Sequence, residues 1–264
     1  MFYFDYIEIE KGIKTKVLKS TFLEKVEHFF TTRDFVLTCG NLEEYKQTAD
    51  KNREKLSEYF HIKRQNLFIP QQTHSDNIVS NPVSSDELLE TDSVISNKNG
   101  TAILLNFADC TPVIIYDERQ NVGAIVHAGW RGTAASIVKK TIYKMQKDFS
   151  SIPKELVAII GPAICQECYC VNDDVYNKIR KTVDIDDSIF VKKSQHYQNE
   201  KYYVDLKLVN KLQLGECGVQ RIDTTDFCTS CNNDTFFSYR KENGITARHS
   251  AVIKISGEGK NVSN

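Results

Sequence analysis

The sequence predicts a mixed domain of the α/β or α+β class that is built on large mixed β-sheets. Apolar segments of strand length fill much of the chain, and a smaller number of helical segments is interspersed among them. No internal repeat, low-complexity tract or Pro/Gly/Ser-rich linker marks a boundary. We therefore expect residues 1–264 to form a single domain.

The N-terminal part contains two predicted strands and one predicted helix. FYFDYIEI (2–9) and HFFTTRD (28–34) combine aromatic and β-branched residues in partial alternation, as strands do. ADKNREKLSEYF (49–60) indicates a helix with a polar face. The strand-rich middle of the chain comprises NLFIP (66–70), NIVS (77–80), DSVIS (92–96), TAILLNFA (101–108), PVIIYD (112–117) and VGAIVHA (122–128).

The second half begins with the clearest helical pattern. In TAASIVKKTIYKMQKDF (133–149), apolar side chains recur at spacings of four, three and four residues, and Thr133 is a plausible N-cap. A second helix is expected to close on Gly215 or Gly218. The predicted elements of this half are strands LVAIIGP (156–162), TFFSYRKE (235–242) and HSAVIKIS (249–256), and helices DVYNKIRKT (174–182) and VDLKLVNKLQLGECG (204–218).

The charge balance gives little support for binding to nucleic acid or to an anionic membrane, because the formal net charge is only -1. The N-terminus MFYFDYIEIE carries acidic residues, unlike the apolar core of a secretory signal. No apolar run approaches the roughly 20 residues that span a bilayer. We expect a cytoplasmic protein that acts on small molecules, and the sequence does not indicate its oligomeric state.

Eight cysteines raise the question of disulfides, thiols or metal ligands. A cytoplasmic location favours thiols. Two C-x-x-C pairs, Cys165/Cys168 and Cys228/Cys231, could together form a structural zinc site with four thiolates. The 59 residues between the pairs exceed the usual spacing of about 15–20 in such sites, which favours ordinary partly buried thiols.

A second set of residues shares one local context. His74, Cys110 and His127 each close an apolar run beside turn residues. If the chain turns near residues 118–120, Cys110 and His127 lie near the same end of one hairpin. A thiolate and two imidazoles suit zinc, and three protein ligands leave a fourth position for water or substrate.

Several segments resemble the signature blocks of a known family. THSDNI, ADCTPVIIYD, VGAIVHAGWRGT, IGPAICQECYCV and FCTSCNNDTFFSYRKENGITARHSAVI are similar to those of the YfiH/YlmD family, also called laccase-domain or polyphenol oxidase-like. The resemblance runs from about residue 25 to the C-terminus. It implies metal ligation by His74, Cys110 and His127, the same three residues.

The resemblance also implies a fold and an activity. The fold is an α+β, four-layer α/β/β/α sandwich with mixed sheets, which the catalytic domain of cytotoxic necrotizing factors shares. The activity is phosphorolysis of purine nucleosides such as adenosine, inosine and methylthioadenosine, with adenosine deaminase activity in the same site. Other members are described as peptidoglycan editing factors, and older descriptions speak of copper-dependent phenol oxidation.

The residues favour zinc over copper. A multicopper oxidase needs many imidazoles and often an axial methionine, whereas this chain has six histidines and two methionines. Zinc can lower the pKa of bound water to about 7, which would provide hydroxide for attack at C6 of adenine. Asp109 is the candidate proton shuttle, although a turn or ligand-orienting role suits it equally.

Phosphorolysis requires cations near the ribose. Arg131, in the GWRGT turn before a predicted helix start, is the first candidate for phosphate binding. Arg53, Arg240 and Arg248 are further candidates for substrate contacts. Phe237, Tyr239 or Trp130 could stack on the purine.

Two alternative functions stay open, and the sequence departs from the family pattern at two positions. Cys110 and His127 could form a metal-independent nucleophile–base pair, as in a hydrolase or amidase acting on a peptidoglycan precursor. The chain could also be a non-enzymatic regulatory module. Glu43 stands where the family has glycine, and Cys170 stands where it has glutamate, which could redirect activity.

Overall fold

A computed structural model describes residues 1–194 and 201–256 of the chain. Its strands are β1 (Phe2–Glu10), β2 (Ile13–Ser20), β3 (His28–Thr31), β4 (Leu67–Phe68), β5 (Ile78–Ser80), β6 (Ser93–Ser96), β7 (Thr101–Phe107), β8 (Thr111–Asp117), β9 (Val122–Ala128), β10 (Val157–Ile160), β11 (Cys170–Val171), β12 (Val191–Ser194), β13 (Lys201–Val204), β14 (Arg221–Thr224) and β15 (His249–Ile255). Its helices are α1 (Lys46–Tyr59), α2 (Trp130–Ala134), α3 (Ile137–Phe149), α4 (Asp173–Arg180) and α5 (Leu206–Glu216).

Two six-stranded mixed sheets form the body of the protein. The first has the order β1-β2-β3-β15-β7-β4, and the second has the order β14-β10-β8-β9-β6-β5. Each sheet is mainly antiparallel, with parallel pairs at β4/β7 in the first sheet and at β10/β14 and β5/β6 in the second. The connection from β7 to β8 therefore crosses from one sheet to the other.

Three apolar clusters show that these sheets are stacked between helices. The inner cluster joins side chains of both sheets, such as Ile103 and Ile253 from the first with Ile114 and Ile125 from the second. A second cluster packs α3 and α5 on the outer face of the second sheet. A third packs α1 on the outer face of the first sheet. The predicted four-layer α/β/β/α sandwich is confirmed.

A small three-stranded sheet lies beside this body. Its strand order is β11-β13-β12, and its apolar cluster includes side chains of α4 and of α5. Tyr176 of α4 stacks on Tyr202 of β13 with ring centroids 3.9 Å apart. The same cluster includes Cys228 and is packed against by Cys165, Cys168 and Trp130. No helix of the described residues is both long enough and apolar enough to cross a membrane.

The predicted helix over 133–149 is wrong at its start. The chain instead forms α2 from Trp130, breaks at Ser136, and then continues as α3. Ser136 has φ 57°, which is left-handed backbone that a continuous helix does not contain. Thr133 lies inside α2 rather than at an N-cap, and its hydroxyl donates to the carbonyl of Ala128 at 3.3 Å.

The strand predicted over 235–242 is also wrong. Backbone hydrogen bonds there are local, from the N–H groups of Phe236 and Glu242 to the carbonyls of Asn232 and Ser238, so the segment forms turns. Its aromatic residues suggested a strand, but they belong to a loop, from which Phe236 and Phe237 are buried and Tyr239 is exposed. The end predicted for α5 is correct at Gly218, whose φ of 92° suits a glycine.

His28 lies in the buried part of β3 and is held as a neutral imidazole. Its Nδ1 donates to the carbonyl of Val26, and its Nε2 accepts the N–H of Ser20, both at 3.0 Å. Burial lowers the pKa of His28 from its ordinary value of 6.5. The folded state therefore resists a proton that the unfolded state accepts.

We expect this histidine to contribute to acid sensitivity. Below pH 6.5 the unfolded chain gains a proton at His28 before the folded chain does. As the pH falls below 6.5, the free energy of unfolding should therefore decrease by up to about 1.4 kcal/mol per pH unit, as long as His28 is protonated in the unfolded chain and neutral in the folded one. Denaturant unfolding of wild type and His28→Gln across mildly acidic pH should show a shallower decline in the variant. Parallel curves for the two proteins would contradict this expectation.

Candidate metal centre and its cleft

The structure brings together the three residues that the sequence selected as metal ligands. One ligand atom from each of His74, Cys110 and His127 lies within 4.8 Å of those of the other two. His74 comes from the loop between β4 and β5, Cys110 from the crossing between β7 and β8, and His127 from the end of β9. The set therefore forms where the two sheets open at one edge of the inner layer.

The β8–β9 hairpin accounts for the proximity of Cys110 and His127. Pro112 pairs with His127 and Thr111 pairs with Ala128 along the two strands. Cys110 directly precedes Thr111, so it lies at the same end of the hairpin as His127, as the sequence predicts. On β9, Ile125 belongs to the inner cluster, and His127 two residues later lies on the same face.

Asp92 connects the two histidine-bearing segments, and its carboxylate is completely buried. Its Oδ1 accepts the Nδ1–H of His127 at 2.7 Å and the backbone N–H of His74 at 3.1 Å. Its Oδ2 accepts the N–H and the hydroxyl of Ser75 at 2.6 and 2.7 Å. The other ring nitrogen of His127, Nε2, is thereby left to face Cys110, and His74 is held in left-handed backbone at φ 60°.

The electrostatics of the site favour a thiolate. Burial alone would raise the pKa of the Cys110 thiol, but the charges and hydrogen bonds of His127 and His74 lower it to about 6. Burial would lower the pKa of His127, yet Cys110 and Asp92 raise it to about 9. Burial opposes ionisation of Asp92 as well, but the bond to His127 brings its pKa down to about 2.

These donors fit a divalent ion. Bond lengths of about 2.0–2.3 Å to nitrogen and sulfur in a tetrahedral zinc site place ligand atoms roughly 3.3–3.8 Å apart. Gly129, directly after the β9 strand, leaves the space next to the ligands open. A Cβ at this residue would lie 2.8 Å from Cys110 Sγ and 3.2 Å from His74 Cδ2. The chain can therefore pass this close to the ligands only without a side chain at Gly129.

The three ligands line a cavity of about 600 Å³, which is within the usual range for small-molecule sites. Asp109 lies on its wall with φ 84°, in left-handed backbone that is costly for a non-glycine residue. Both of its carboxylate oxygens accept hydrogen bonds at 2.6 Å, from the Thr229 hydroxyl and from the N–H of Arg240. These bonds hold the loop that carries Cys110.

Three of the four arginines suggested by the sequence line this cavity, namely Arg131, Arg240 and Arg248. Arg131 lies in the first turn of α2, where its guanidinium packs 4.3 Å from the Trp130 ring, instead of preceding a helix start. Arg248 donates to the carbonyls of Thr246 and Ala247. Arg53 is not part of the cavity wall, because it lies on α1 and pairs with Asp50.

The suggested aromatic residues divide in the same way. Trp130 and Tyr239 line the cavity, and Tyr239 is 55% exposed, so its ring is accessible. Phe237 is buried in a small apolar cluster behind the wall, with the Arg33 guanidinium 4.2 Å from its ring. Phe237 is therefore a packing residue, whereas the other two present rings to a ligand.

The sequence did not single out Asp92, Tyr169 or Thr229. Tyr169 lines the cavity, and Thr229 holds Asp109. A carboxylate at the start of an apolar strand, as in DSVIS, was a usable signal for Asp92. Nothing in the local pattern of the other two indicates their role. Tyr169 follows the first C-x-x-C pair and Thr229 lies within the second, and both segments reach the cavity only in the fold.

We expect Asp92→Asn to weaken metal binding by about 10–100-fold, the usual effect of removing a carboxylate that orients a histidine ligand. The amide would also place N–H groups against the N–H donors of residues 73–75. Competition with a chromophoric chelator measures the affinity. Asp117→Asn, a buried carboxylate at the other end of the β8–β9 hairpin, is the matched control. Equal affinity in the Asp92 and Asp117 variants would contradict the proposed role of Asp92.

Comparison with known proteins places this chain in a family. The family model described as multi-copper polyphenol oxidoreductase laccase matches residues 34–256. A purine nucleoside phosphorylase of Bacteroides thetaiotaomicron is 31% identical over 82% of this chain and 86% of its own length. A purine nucleoside phosphorylase of Clostridium acetobutylicum is 34% identical over 90% of this chain and 98% of its own length.

Solved structures agree with this assignment. The protein YfiH of Bacillus licheniformis superposes with a TM-score of 0.82 at 29% identity, covering 91% of this chain and 96% of that one. YlmD of Geobacillus stearothermophilus gives a TM-score of 0.80 at 26% identity over the same shares of the two chains. The chain thus belongs to the laccase-domain family that includes YfiH and YlmD.

Proposed function

We propose that this protein is a zinc-dependent purine nucleoside phosphorylase that also deaminates adenosine in the same cleft. Its substrates would be adenosine, inosine and methylthioadenosine. The observation that carries the proposal is the combination, in one cavity, of a Cys/His/His metal-binding set with three arginines. The relatives from Bacteroides thetaiotaomicron and Clostridium acetobutylicum are named purine nucleoside phosphorylases, which supports the phosphorylase part of the proposal.

Phosphate would bind among Arg131, Arg240 and Arg248. Guanidinium groups bind phosphate oxygens through paired N–H donors, and they stay charged when partly buried. In phosphorolysis a phosphate oxygen forms a bond to C1′ of the ribose while the bond from C1′ to the purine nitrogen breaks. The arginines would hold the attacking phosphate and limit repulsion between its charge and the site.

The purine would lie between polar and aromatic parts of the wall. The Tyr239 ring is accessible, and Trp130 lies close to Arg131, so a base stacked there would remain near bound phosphate. A zinc ion held by His74, Cys110 and His127 would supply a Lewis acid with one open position. Asp109 would position the Cys110 loop, and it is also the candidate group for proton transfer during deamination.

Copper oxidase chemistry is less well supported. A multicopper centre requires many imidazoles, and of the histidines in the described ranges only His74 and His127 line the cavity. Met145 packs in the apolar cluster between α3 and the second sheet, so it does not serve as an axial ligand in the cavity. The donor set of one thiolate and two imidazoles is suited to a single zinc ion.

Purified protein should release adenine or hypoxanthine from the corresponding nucleosides only when phosphate is present, with one ribose 1-phosphate formed for each base. Chromatography of reactions with and without phosphate measures both products. Arg131→Ala should raise the KM for phosphate by about tenfold or more, since hydrogen bonds to charged groups contribute about 1.5–3 kcal/mol. Arg119→Ala, a surface arginine paired with Glu155, is the matched control. Equal rates without phosphate would indicate hydrolysis instead.

A second candidate function is favoured by the arrangement of Cys110, His127 and Asp92. A thiol whose pKa is lowered to about 6 next to an imidazole that a carboxylate orients is the arrangement of a cysteine hydrolase. Such an enzyme would act without metal as a hydrolase or amidase, for example on a peptidoglycan precursor. His74 distinguishes the two candidates, because a nucleophile–base pair does not require it.

Cys110→Ala should abolish nucleoside turnover together with the loss of one equivalent of metal per chain, because three donors become two. Elemental analysis and the nucleoside assay measure the two effects on the same preparation. His74→Ala should have the same double effect. If both variants keep the metal content of wild type and only Cys110→Ala is inactive, Cys110 acts as a nucleophile and not as a metal ligand.

A further inference from the structure

Outside the cleft, the structure gathers the two C-x-x-C pairs. The sulfur atoms of Cys165, Cys168, Cys228 and Cys231 all lie within 4.8 Å of one another. Cys168 Sγ and Cys231 Sγ are 3.5 Å apart, well beyond the roughly 2.05 Å of a disulfide bond. All four are free cysteines. The sequence spacing favoured unrelated thiols, but the fold brings the two distant pairs to one place.

The geometry resembles a closed tetrahedral site. Sulfur atoms bound to zinc at about 2.3 Å lie roughly 3.8 Å apart in a tetrahedron. Here Cys168 Sγ and Cys231 Sγ are 3.5 Å apart, and all four sulfurs lie within 4.8 Å of one another. Each pair is carried by a tight turn. The N–H of Cys168 donates to the carbonyl of Cys165 at 3.2 Å, and the N–H of Asn232 donates to the carbonyl of Cys228 at 2.9 Å. Such turns direct both sulfurs of a C-x-x-C pair to the same side.

Backbone donors point at one of these sulfurs. Cys228 Sγ accepts the N–H of Cys165 at 3.2 Å and the N–H of Cys231 at 3.4 Å. Hydrogen bonds donated to sulfur stabilise a thiolate, which is the metal-binding form of cysteine. The bond from Cys165 joins the two C-x-x-C segments to each other, whereas the bond from Cys231 lies within the second segment.

A buried lysine lies near two of the four sulfurs, those of Cys228 and Cys165. Lys207 is 7% exposed, and its ammonium donates to the carbonyls of Thr225 at 2.8 Å and Phe227 at 3.4 Å, directly before Cys228. Its charge interacts with Asp205, Asp226 and the sulfurs of Cys228 and Cys165. A divalent ion with four thiolates carries a net charge of −2, so a buried ammonium beside it would offset part of that charge.

We propose that Cys165, Cys168, Cys228 and Cys231 hold a structural zinc ion that is distinct from any ion in the cleft. Four protein ligands leave no open position, so the ion takes no part in chemistry. It joins two segments that are far apart in the sequence. The direct contact between these segments, from the N–H of Thr229 to the carbonyl of Ala163 at 3.2 Å, shows that they already lie side by side.

The site has a consequence for the cleft. Tyr169, which lines the cavity, directly follows Cys168, and Thr229, which holds Asp109, lies between Cys228 and Cys231. Loss of the structural ion would therefore loosen a wall residue and the hydrogen bond that positions the Cys110 loop. Tyr169 and Thr229 are positioning residues in this scheme, and the cysteines act only through them.

Metal content measured by elemental analysis tests the proposal, and Cys110→Ala separates the two sites. Protein purified under reducing conditions without chelators should contain about two zinc ions per chain. Cys110→Ala should keep one of them, and adding Cys168→Ser and Cys231→Ser should remove it. Cys217→Ser, which changes a cysteine outside both sets, should retain the wild-type content. If the cleft binds no zinc, wild type should still contain one ion that depends only on the four cysteines.

Cobalt substitution gives a second readout that does not depend on activity. Cobalt-loaded Cys110→Ala should show the intense sulfur-to-metal charge-transfer absorption of four thiolates. Adding Cys231→Ser to this variant, at an exposed side chain, should weaken the absorption, and adding Cys168→Ser as well should remove it. The proposal fails if Cys110→Ala contains no metal, or if the serine variants keep full zinc content. It also fails if freshly purified protein contains disulfides at these cysteines, or if the metal that is lost in the cysteine variants is iron rather than zinc.

Discussion

The buried carboxylate of Asp92 is the constraint on which the candidate centre depends. It accepts hydrogen bonds from the ring of His127 and from the backbone of His74, so the end of β9 and the loop that connects the two sheets between β4 and β5 are held at one point. An uncompensated buried carboxylate would be costly, and the five donors around it remove that cost. The four-layer body supplies the rigid surroundings in which this network keeps its geometry.

The periodic signals of the sequence predicted most of this body. Strands in the middle of the chain and α1, α4 and α5 appear where alternation and helical spacing place them, because tertiary packing and local preference agree there. The predictions failed at Ser136, where left-handed backbone separates α2 from α3, and over 235–242, where buried aromatic residues belong to turns. The second of these segments contributes Tyr239 and Arg240 to the wall of the cavity, and long-range contacts override local preference there.

The sequence predicted the candidate metal-binding residues where a histidine or a cysteine lies at the end of an apolar segment. His74, Cys110 and His127 share that context, and hairpin geometry accounts for two of them. The sequence placed Arg53 on the helix predicted over 49–60, but it could not show that the residue lies outside the cavity wall, because a resemblance of local blocks does not indicate direction in space. The sequence raised a four-thiolate site of the two C-x-x-C pairs as one possibility, but the spacing favoured ordinary thiols. The parallel bridge between Ala163 and Cys228 that brings the pairs together is a long-range contact, which local pattern does not indicate.

The pairing of β8 with β9 limits which changes of length this protein can accept. On β9, Val126 and Ala128 face the helices, whereas Ile125 and His127 face the other sheet. If β9 shifted by one residue against β8, the His127 imidazole would enter the apolar cluster beneath α3, and a methyl-bearing side chain would take its place in the cleft. Insertions or deletions at residues 118–121 are therefore tolerable only when the tip of the hairpin absorbs them without moving the strands.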